Sequence, residues 1–237
     1  AVTVVKDSAK MLPLKDITDK KIASVTIGKT GANDFTNMLD NYADIDHYYL
    51  ANNSDWVVYE KMLETLAKYD LVLANTQAMS KYASKNYFID ENEEKFASEL
   101  SKNENAILTV FGSPYSLVKF PNWKELIVGY EDSKEAQEIT AQIIFGGRSA
   151  KGKLPISIGE YQFGEGINTI APIRLKYGSI AELGHETEEL LKLDSIVEAT
   201  LKIKATPGAQ VLAVKDGLVF YNKSFGKHTY ESKSRAV

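Results

Sequence analysis

The sequence contains no cysteine. That absence removes disulfides, thiolate nucleophiles and cysteine-ligated zinc together. Histidine is nearly as scarce: His47, His185 and His228 are the only three and lie far apart, which argues against a histidine-rich metal site. No run approaches the roughly 20 apolar residues that a membrane-spanning helix needs. No basic leader with an apolar core opens the chain; it starts instead with the β-prone Ala1-Val2-Thr3-Val4-Val5. Charge of one sign is also lacking. Lys and Arg number 28 against 32 Asp and Glu, and no basic stripe could follow a phosphate backbone, so nucleic acid is not an expected partner. What remains is 44% hydrophobic and 25% charged, close to the globular norm and unlike a disordered chain.

Short apolar runs alternate with amphipathic stretches. The runs are Ile22–Ile27, Ile45–Leu50, Leu71–Ala74, Ala106–Phe111, Leu126–Tyr130 and Leu154–Ile158. Each has strand length, and apolar residues on both faces mark buried parallel strands. Between them, Phe35, Met38, Leu39 and Tyr42 repeat with helical spacing, as do Trp56, Tyr59 and Leu63. Asp90–Lys102 reads as a helix with an acidic start. Ser133–Phe145 reads as the strongest one, with Asp132 as its cap, Glu135 completing a capping box, Ala136, Ile139, Ile143 and Ile144 facing inward, and Gly146-Gly147 ending it. The expected fold class is therefore α/β: a doubly wound, mostly parallel sheet sandwiched by helices.

Gly159–Gly184 reads as a closing loop and linker. A further helix is expected over Thr187–Lys204, with Leu190, Leu191, Ile196, Val197 and Leu201 as its apolar set. The period then changes to two. Gln210–Lys215 and Leu218–Lys223 flank Asp216-Gly217, a strong hairpin signal because a type I′ turn needs positive φ. The domains are thus expected at 1–183 and 184–237. The chain reads as a fragment that begins inside a folded protein and stops before its second domain closes.

Motifs that carry chemistry are weak here. Gly28-Lys29-Thr30-Gly31 follows a strand, but the phosphate-loop pattern needs a glycine where Ala23 stands; a plain strand-to-helix turn is the better reading. Two Ser-x-x-Lys matches occur, Ser116–Lys119 and Ser224–Lys227, neither followed by Ser-Asp-Asn or Lys-Thr-Gly. Sites in open α/β sheets form where parallel strands end. At two such ends stand Phe111-Gly112-Ser113-Pro114-Tyr115 and Glu131-Asp132. The candidate site residues are therefore Gly112, Ser113, Tyr115, Glu131 and Asp132, lining a substrate wall or a domain contact. The plainer reading makes Asp132 a helix cap and Glu131 a loop or domain-contact residue, and is preferred. No catalytic residue, metal ligand or cofactor is assigned.

Several segments together carry a family resemblance. Thr3-Val4-Val5-Lys6-Asp7 followed by Leu12-Pro13-Leu14 resembles the entry into the second domain of glycoside hydrolase family 3. Phe111-Gly112-Ser113-Pro114-Tyr115, Gly129-Tyr130-Glu131-Asp132 and Gly152-Lys153-Leu154-Pro155-Ile156-Ser157-Ile158 resemble later strand ends of its bacterial β-N-acetylhexosaminidase branch. Leu193-Asp194-Ser195-Ile196-Val197, Pro207-Gly208-Ala209, Lys215-Asp216-Gly217 and Phe225-Gly226 resemble the start of a β-lactamase-like serine hydrolase domain, whose own catalytic Ser-x-x-Lys would lie past this chain.

The resemblance implies a parent that hydrolyses terminal β-linked N-acetylhexosamine. Its carbohydrate site and catalytic aspartate belong to a preceding TIM-barrel domain, the partner against which this domain packs. Retaining glycosidases need two carboxyl-type groups at the scissile bond, and the resemblance places neither in this chain. It also implies a periplasmic or secreted parent. Two rivals remain: a small-molecule or sugar binding module using the same sheet edge, and a serine hydrolase or esterase fragment using Ser224, which would require a helix at Ser224–Lys227.

Overall fold

The computed structural model of the chain describes residues 2–231 and 233–237. These form two compact units, the first ending at Ile173 and the second running Arg174–Val237.

The first unit holds six strands in one sheet: β1 (Thr3–Asp7), β2 (Ile22–Ile27), β3 (Ile45–Leu50), β4 (Leu71–Thr76), β5 (Ala106–Val110) and β6 (Glu125–Val128). Their spatial order is β1-β6-β5-β4-β2-β3. All neighbours run parallel except β1, which pairs antiparallel with β6. From β2 the chain steps outward to β3, then returns past β2 to β4 and continues the other way. That reversal is the topological switch point of a doubly wound sheet.

Helix α1 (Asp34–Leu39) links β2 to β3, while α2 (Trp56–Leu66) and α3 (Glu91–Leu100) make the two connections on either side of β4. Helix α4 (Lys134–Phe145) follows β6 and packs on α1. The two faces of the sheet differ in chemistry. Alternate residues Ala23, Val25, Ile27, Val72, Ala74, Leu108 and Val110 join one apolar cluster with Tyr59, Leu66, Phe96 and Leu100 of α2 and α3. The residues between them include Ser24, Thr26, Asn75 and Thr109, all fully buried and polar. Strands β2 and β4 are thus buried on both faces, with a polar row on one.

The segment Leu154–Ile158 forms no strand, contrary to the sequence expectation. The sheet edge beyond β6 is taken by β1, and Pro155 has no N–H to give a ladder. Leu154 pairs locally with Gly164 and Glu165, and Ile158 makes a tight turn with Tyr161. In α4, Ser133 caps the helix, accepting from the Ala136 N–H; Asp132 does not. Ile139 is exposed, and the inner face is built from Ala136, Gln137, Thr140, Ala141, Ile143, Ile144 and Phe145. Gly146 ends the helix at φ 76°, where an added Cβ would meet Ile173 at 2.4 Å.

The second unit carries β7 (Lys176–Tyr177), α5 (Leu191–Lys202), β8 (Gly208–Lys215) and β9 (Leu218–Gly226). Its three strands lie in the order β7-β9-β8, with β8 and β9 an antiparallel hairpin and β7 parallel to β9. The turn has φ 50° at Asp216 and 75° at Gly217, the positive values that an Asp-Gly type I′ turn requires. A 3-10 turn over Thr187–Leu190 precedes α5. No residue of α5 is buried, and Leu191 and Ile196 are exposed. Asp194 ties the helix to β9 by accepting from the Tyr221 hydroxyl and from Lys223 Nζ at 2.7 Å.

Candidate functional site

The loops after β2, β4, β5 and β6 gather at the carboxyl edge of the parallel sheet, and their close approach selects small residues. A Cβ on Gly129 would lie 2.6 Å from the Phe111 ring, and one on Gly112 would lie 2.8 Å from Met79 Sδ. The Gly129 N–H donates to the Val110 carbonyl at 2.9 Å, and the Phe111 N–H to the Thr76 carbonyl at 3.2 Å. The edges of β4, β5 and β6 are therefore locked side by side.

The five candidate residues share this edge but play different parts. Gly112 is buried under Met79. Ser113 is half-buried and starts a 3-10 turn over Pro114–Lys119; its carbonyl accepts from the Ser116 N–H at 2.9 Å and the Ser116 hydroxyl at 2.7 Å. Tyr115, on that turn, is 50% exposed. Glu131 is exposed and accepts from the Ser133 hydroxyl. Asp132 spends both oxygens on structure, accepting from the Ala78 N–H at 3.0 Å and from Gln137 Nε2. It clamps the loop after β4 to the start of α4. Tyr115, Glu131 and Asp132 are the exposed residues of the five, with Asp132 already engaged through both oxygens.

Behind Asp132 runs a buried polar chain that sequence patterning did not reveal. Gln137 Oε1 accepts from the Phe35 N–H at 2.9 Å and faces Gln77 Nε2 at 3.4 Å. Gln77 Nε2 donates to Asn75 Oδ1 at 3.0 Å; Asn75 Nδ2 donates to Thr26 Oγ1 at 3.0 Å, and Asn33 reaches the same hydroxyl at 3.3 Å. All five side chains are at least nine-tenths buried. Glu93 was missed as well. It is 3% exposed, completes the capping box of α3 with Asp90, and accepts from the Tyr59 hydroxyl at 3.5 Å. Burial, with the Asp90 charge adding to it, raises its carboxyl to about 7. The Asp-x-x-Glu spacing of Asp90 and Glu93 was the available signal.

Other arrangements are structural. Ser24 Oγ hydrogen-bonds His47 Nδ1 at 2.6 Å, and His47 Nε2 meets Asp40 at 2.7 Å. The sequence Ser-His-Asp resembles a hydrolytic relay, but Ser24 is fully buried in mid-strand and no acyl group can reach it. Ser116 is fully buried, and Lys119 pairs with Glu94 at 2.8 Å. Ser224 lies in strand β9, not on a helix. Among the described residues no cluster of His, Asp and Glu is arranged to hold a metal, and no helix is long and apolar enough to cross a membrane.

No family model matches the sequence, and no curated protein matches it. Solved structures do. A fungal multi-domain GH3 β-N-acetylglucosaminidase described as having a GCN5-related glucosamine N-acetyltransferase region superposes with a TM-score of 0.55 at 15% identity, covering 98% of this chain and 29% of that one. A β-glucosidase from Listeria innocua in complex with isofagomine gives 0.52 at 15% identity, covering 68% and 26%. A β-glucosidase from Erythrobacter marinus gives 0.51 at 13% identity, covering 70% and 33%. This chain spans a third or less of the length of each. In fold, then, it is similar to part of a family 3 glycoside hydrolase chain.

Proposed function

We propose that residues 1–183 are a non-catalytic second domain of a larger glycoside hydrolase, and that the parent removes terminal β-linked N-acetylhexosamine. The observation that carries this reading is the likeness in fold to part of glycosidase chains about two to three times as long as this one. The ordered motifs from Thr3 to Ile158 support it independently. The domain packs against the preceding TIM barrel through its carboxyl edge, and that edge forms one wall near the sugar. Its contact residues are Gly112, Ser113, Tyr115, Glu131 and Asp132. Tyr115 and Glu131 meet the barrel or the substrate, while Gly112, Ser113 and Asp132 hold the loops that carry them. Residues 184–237 are assigned to the start of a β-lactamase-like serine hydrolase domain on the resemblance carried by Leu193-Asp194-Ser195-Ile196-Val197, Pro207-Gly208-Ala209, Lys215-Asp216-Gly217 and Phe225-Gly226, with which a helix followed by an antiparallel hairpin is consistent.

The test is Tyr115→Ala in the full-length parent. Half-exposed and on a surface turn, Tyr115 contributes little to stability here, so the melting temperature should hold while turnover falls several-fold. Unchanged turnover with unchanged stability would remove the wall role.

A further inference from the structure

The loop after β4 leaves the sheet beside its switch point, where open α/β sheets bind ligands. Its segment Ala83–Phe88 winds as 3-10 turns and packs on the Pro114–Lys119 turn that carries Tyr115. Tyr82 and Phe88 of this loop are each 52% exposed, beside the exposed Tyr115. Exposed aromatic side chains gathered on touching loops and rimmed by polar groups mark a binding surface.

The loop backbone is held in a costly form. Asn86, Tyr87 and Phe88 have φ of 47°, 56° and 60° in succession. Left-handed backbone costs a non-glycine residue roughly 1–2 kcal/mol, so the surroundings must impose it. Tyr87 is buried in the apolar cluster; its carbonyl accepts from the Ser80 N–H at 2.9 Å, and its N–H donates to the Tyr82 carbonyl at 3.3 Å. The Asn86 side chain donates to the Ile89 carbonyl. With Tyr87 turned inward, Phe88 is left in solvent. Two ammonium groups stand over the exposed rings. Lys81 Nζ is 5.1 Å from the centre of the Tyr82 ring, and Lys85 Nζ is 5.9 Å from that ring and 5.6 Å from Phe88. Among the described residues neither lysine is paired with a carboxylate. Glu94, which reaches the loop through Asn86, is taken by Lys119 at 2.8 Å.

We propose that Lys81, Tyr82, Lys85 and Phe88 form a binding site for a saccharide bearing a carboxylate, of the hexuronate type. The apolar C–H face of the sugar ring lies on an aromatic ring, and its carboxylate meets the uncompensated lysines. A hexuronate joins the two features in one residue, because its carboxylate is carried on a ring carbon beside that face. A neutral sugar leaves the lysines unused, and an inorganic anion leaves the rings unused. The choice of a sugar rests on the glycosidase reading; the cationic aromatic surface itself does not.

The experiment is an NMR titration of the whole chain at low ionic strength with the trisaccharide of galacturonate, beside neutral galactotriose and AMP. Expected is saturable binding of the galacturonate that shifts the amide signals of Lys81–Phe88, is weaker for the neutral sugar and weakens with added salt. Phe88→Asn removes the ring while suiting the left-handed backbone, and should weaken binding about three- to tenfold, the size of one aromatic contact. Lys85→Gln should weaken it about two- to fivefold. No saturable binding, equal binding of the neutral sugar, or full affinity in F88N overturns the proposal. Tighter binding of AMP overturns it too, in favour of a nucleotide. If F88N does not fold, Tyr82→Ser takes its place with the same two outcomes. Hydrolysis by the parent plays no part in this titration, so its failure is separate from that of the glycosidase reading, which Tyr115→Ala tests.

Discussion

Glu93 carries the sharpest residue-scale consequence. Its carboxyl is raised from an ordinary 4.5 to about 7, first by burial and then by the Asp90 charge. A group that binds its proton more tightly in the folded chain stabilises the fold when protonated. The contribution is full below pH about 4.5 and is lost as the pH rises through about 7, a difference of about 3 kcal/mol. Urea midpoints measured across this window should fall with pH in the unaltered chain and fall much less in Glu93→Gln; equal slopes would contradict the assignment. Two glycines give a second residue-scale contrast. Gly129→Ala drives a Cβ against the Phe111 ring, which is packed edge-on to Phe35, whereas Gly112→Ala meets only the flexible Met79 side chain. Overpacking costs about 1–3 kcal/mol, so G129A should lose that much in denaturant titration and G112A clearly less. The Asp90-x-x-Glu93 spacing signalled a cap, but the burial of Glu93 and the two glycine contacts were not legible in the sequence. The apolar runs concealed the polar row of Ser24, Thr26 and Asn75, and the expected strand stopped at Ala74. In the structure β4 continues through Asn75 and Thr76, because the Asn75 side chain finds partners inside the fold.

Most elements could be read from period and punctuation. Strands β2 and β3 have the bounds that their apolar runs predict, and Gly146 and Asp216-Gly217 stop the chain where positive φ is needed. The misses arose where two neighbours compete for one role. Asp132 and Ser133 both suit a helix cap. Ser133 takes it, because Asp132 is drawn to Gln137 and to the Ala78 N–H on a neighbouring loop, a partner that lies far away in sequence. The two positions should therefore separate experimentally. Ser133→Ala should lower stability by about 1 kcal/mol, the usual value of a cap. Asp132→Ala should instead speed amide exchange at Ala78, in the loop after β4. If both variants gave the same exchange pattern, the clamp would be discounted. Leu154–Ile158 failed as a strand for a topological reason. Alternation and length describe a strand, but not whether a sheet edge is vacant, and β1 already holds that edge.

The two units differ in how well they are built. The first holds a six-stranded sheet whose four central strands, β2, β4, β5 and β6, are buried on both faces. The second rests on few buried side chains, chiefly Ile180, Leu218, Val219, Tyr221 and Phe225, and α5 buries none. Low burial means a low free energy of local opening. Limited proteolysis should accordingly cut within Arg174–Val237 first and leave the first unit intact; initial cleavage inside the sheet would contradict this ranking. The fold class was legible in the sequence because strand–helix alternation is a global pattern. The site was legible only as an edge, since which residues there face outward depends on loop-to-loop contacts such as Met79 on Gly112. The central claim is that the chemistry belongs to a larger enzyme and that this chain supplies a wall to it. Hydrolysis of a chromogenic β-N-acetylglucosaminide by this chain alone, at high protein concentration, tests it most directly. The account predicts no turnover above buffer; turnover proportional to chain concentration and surviving repurification would place a catalytic pair within these residues and contradict it.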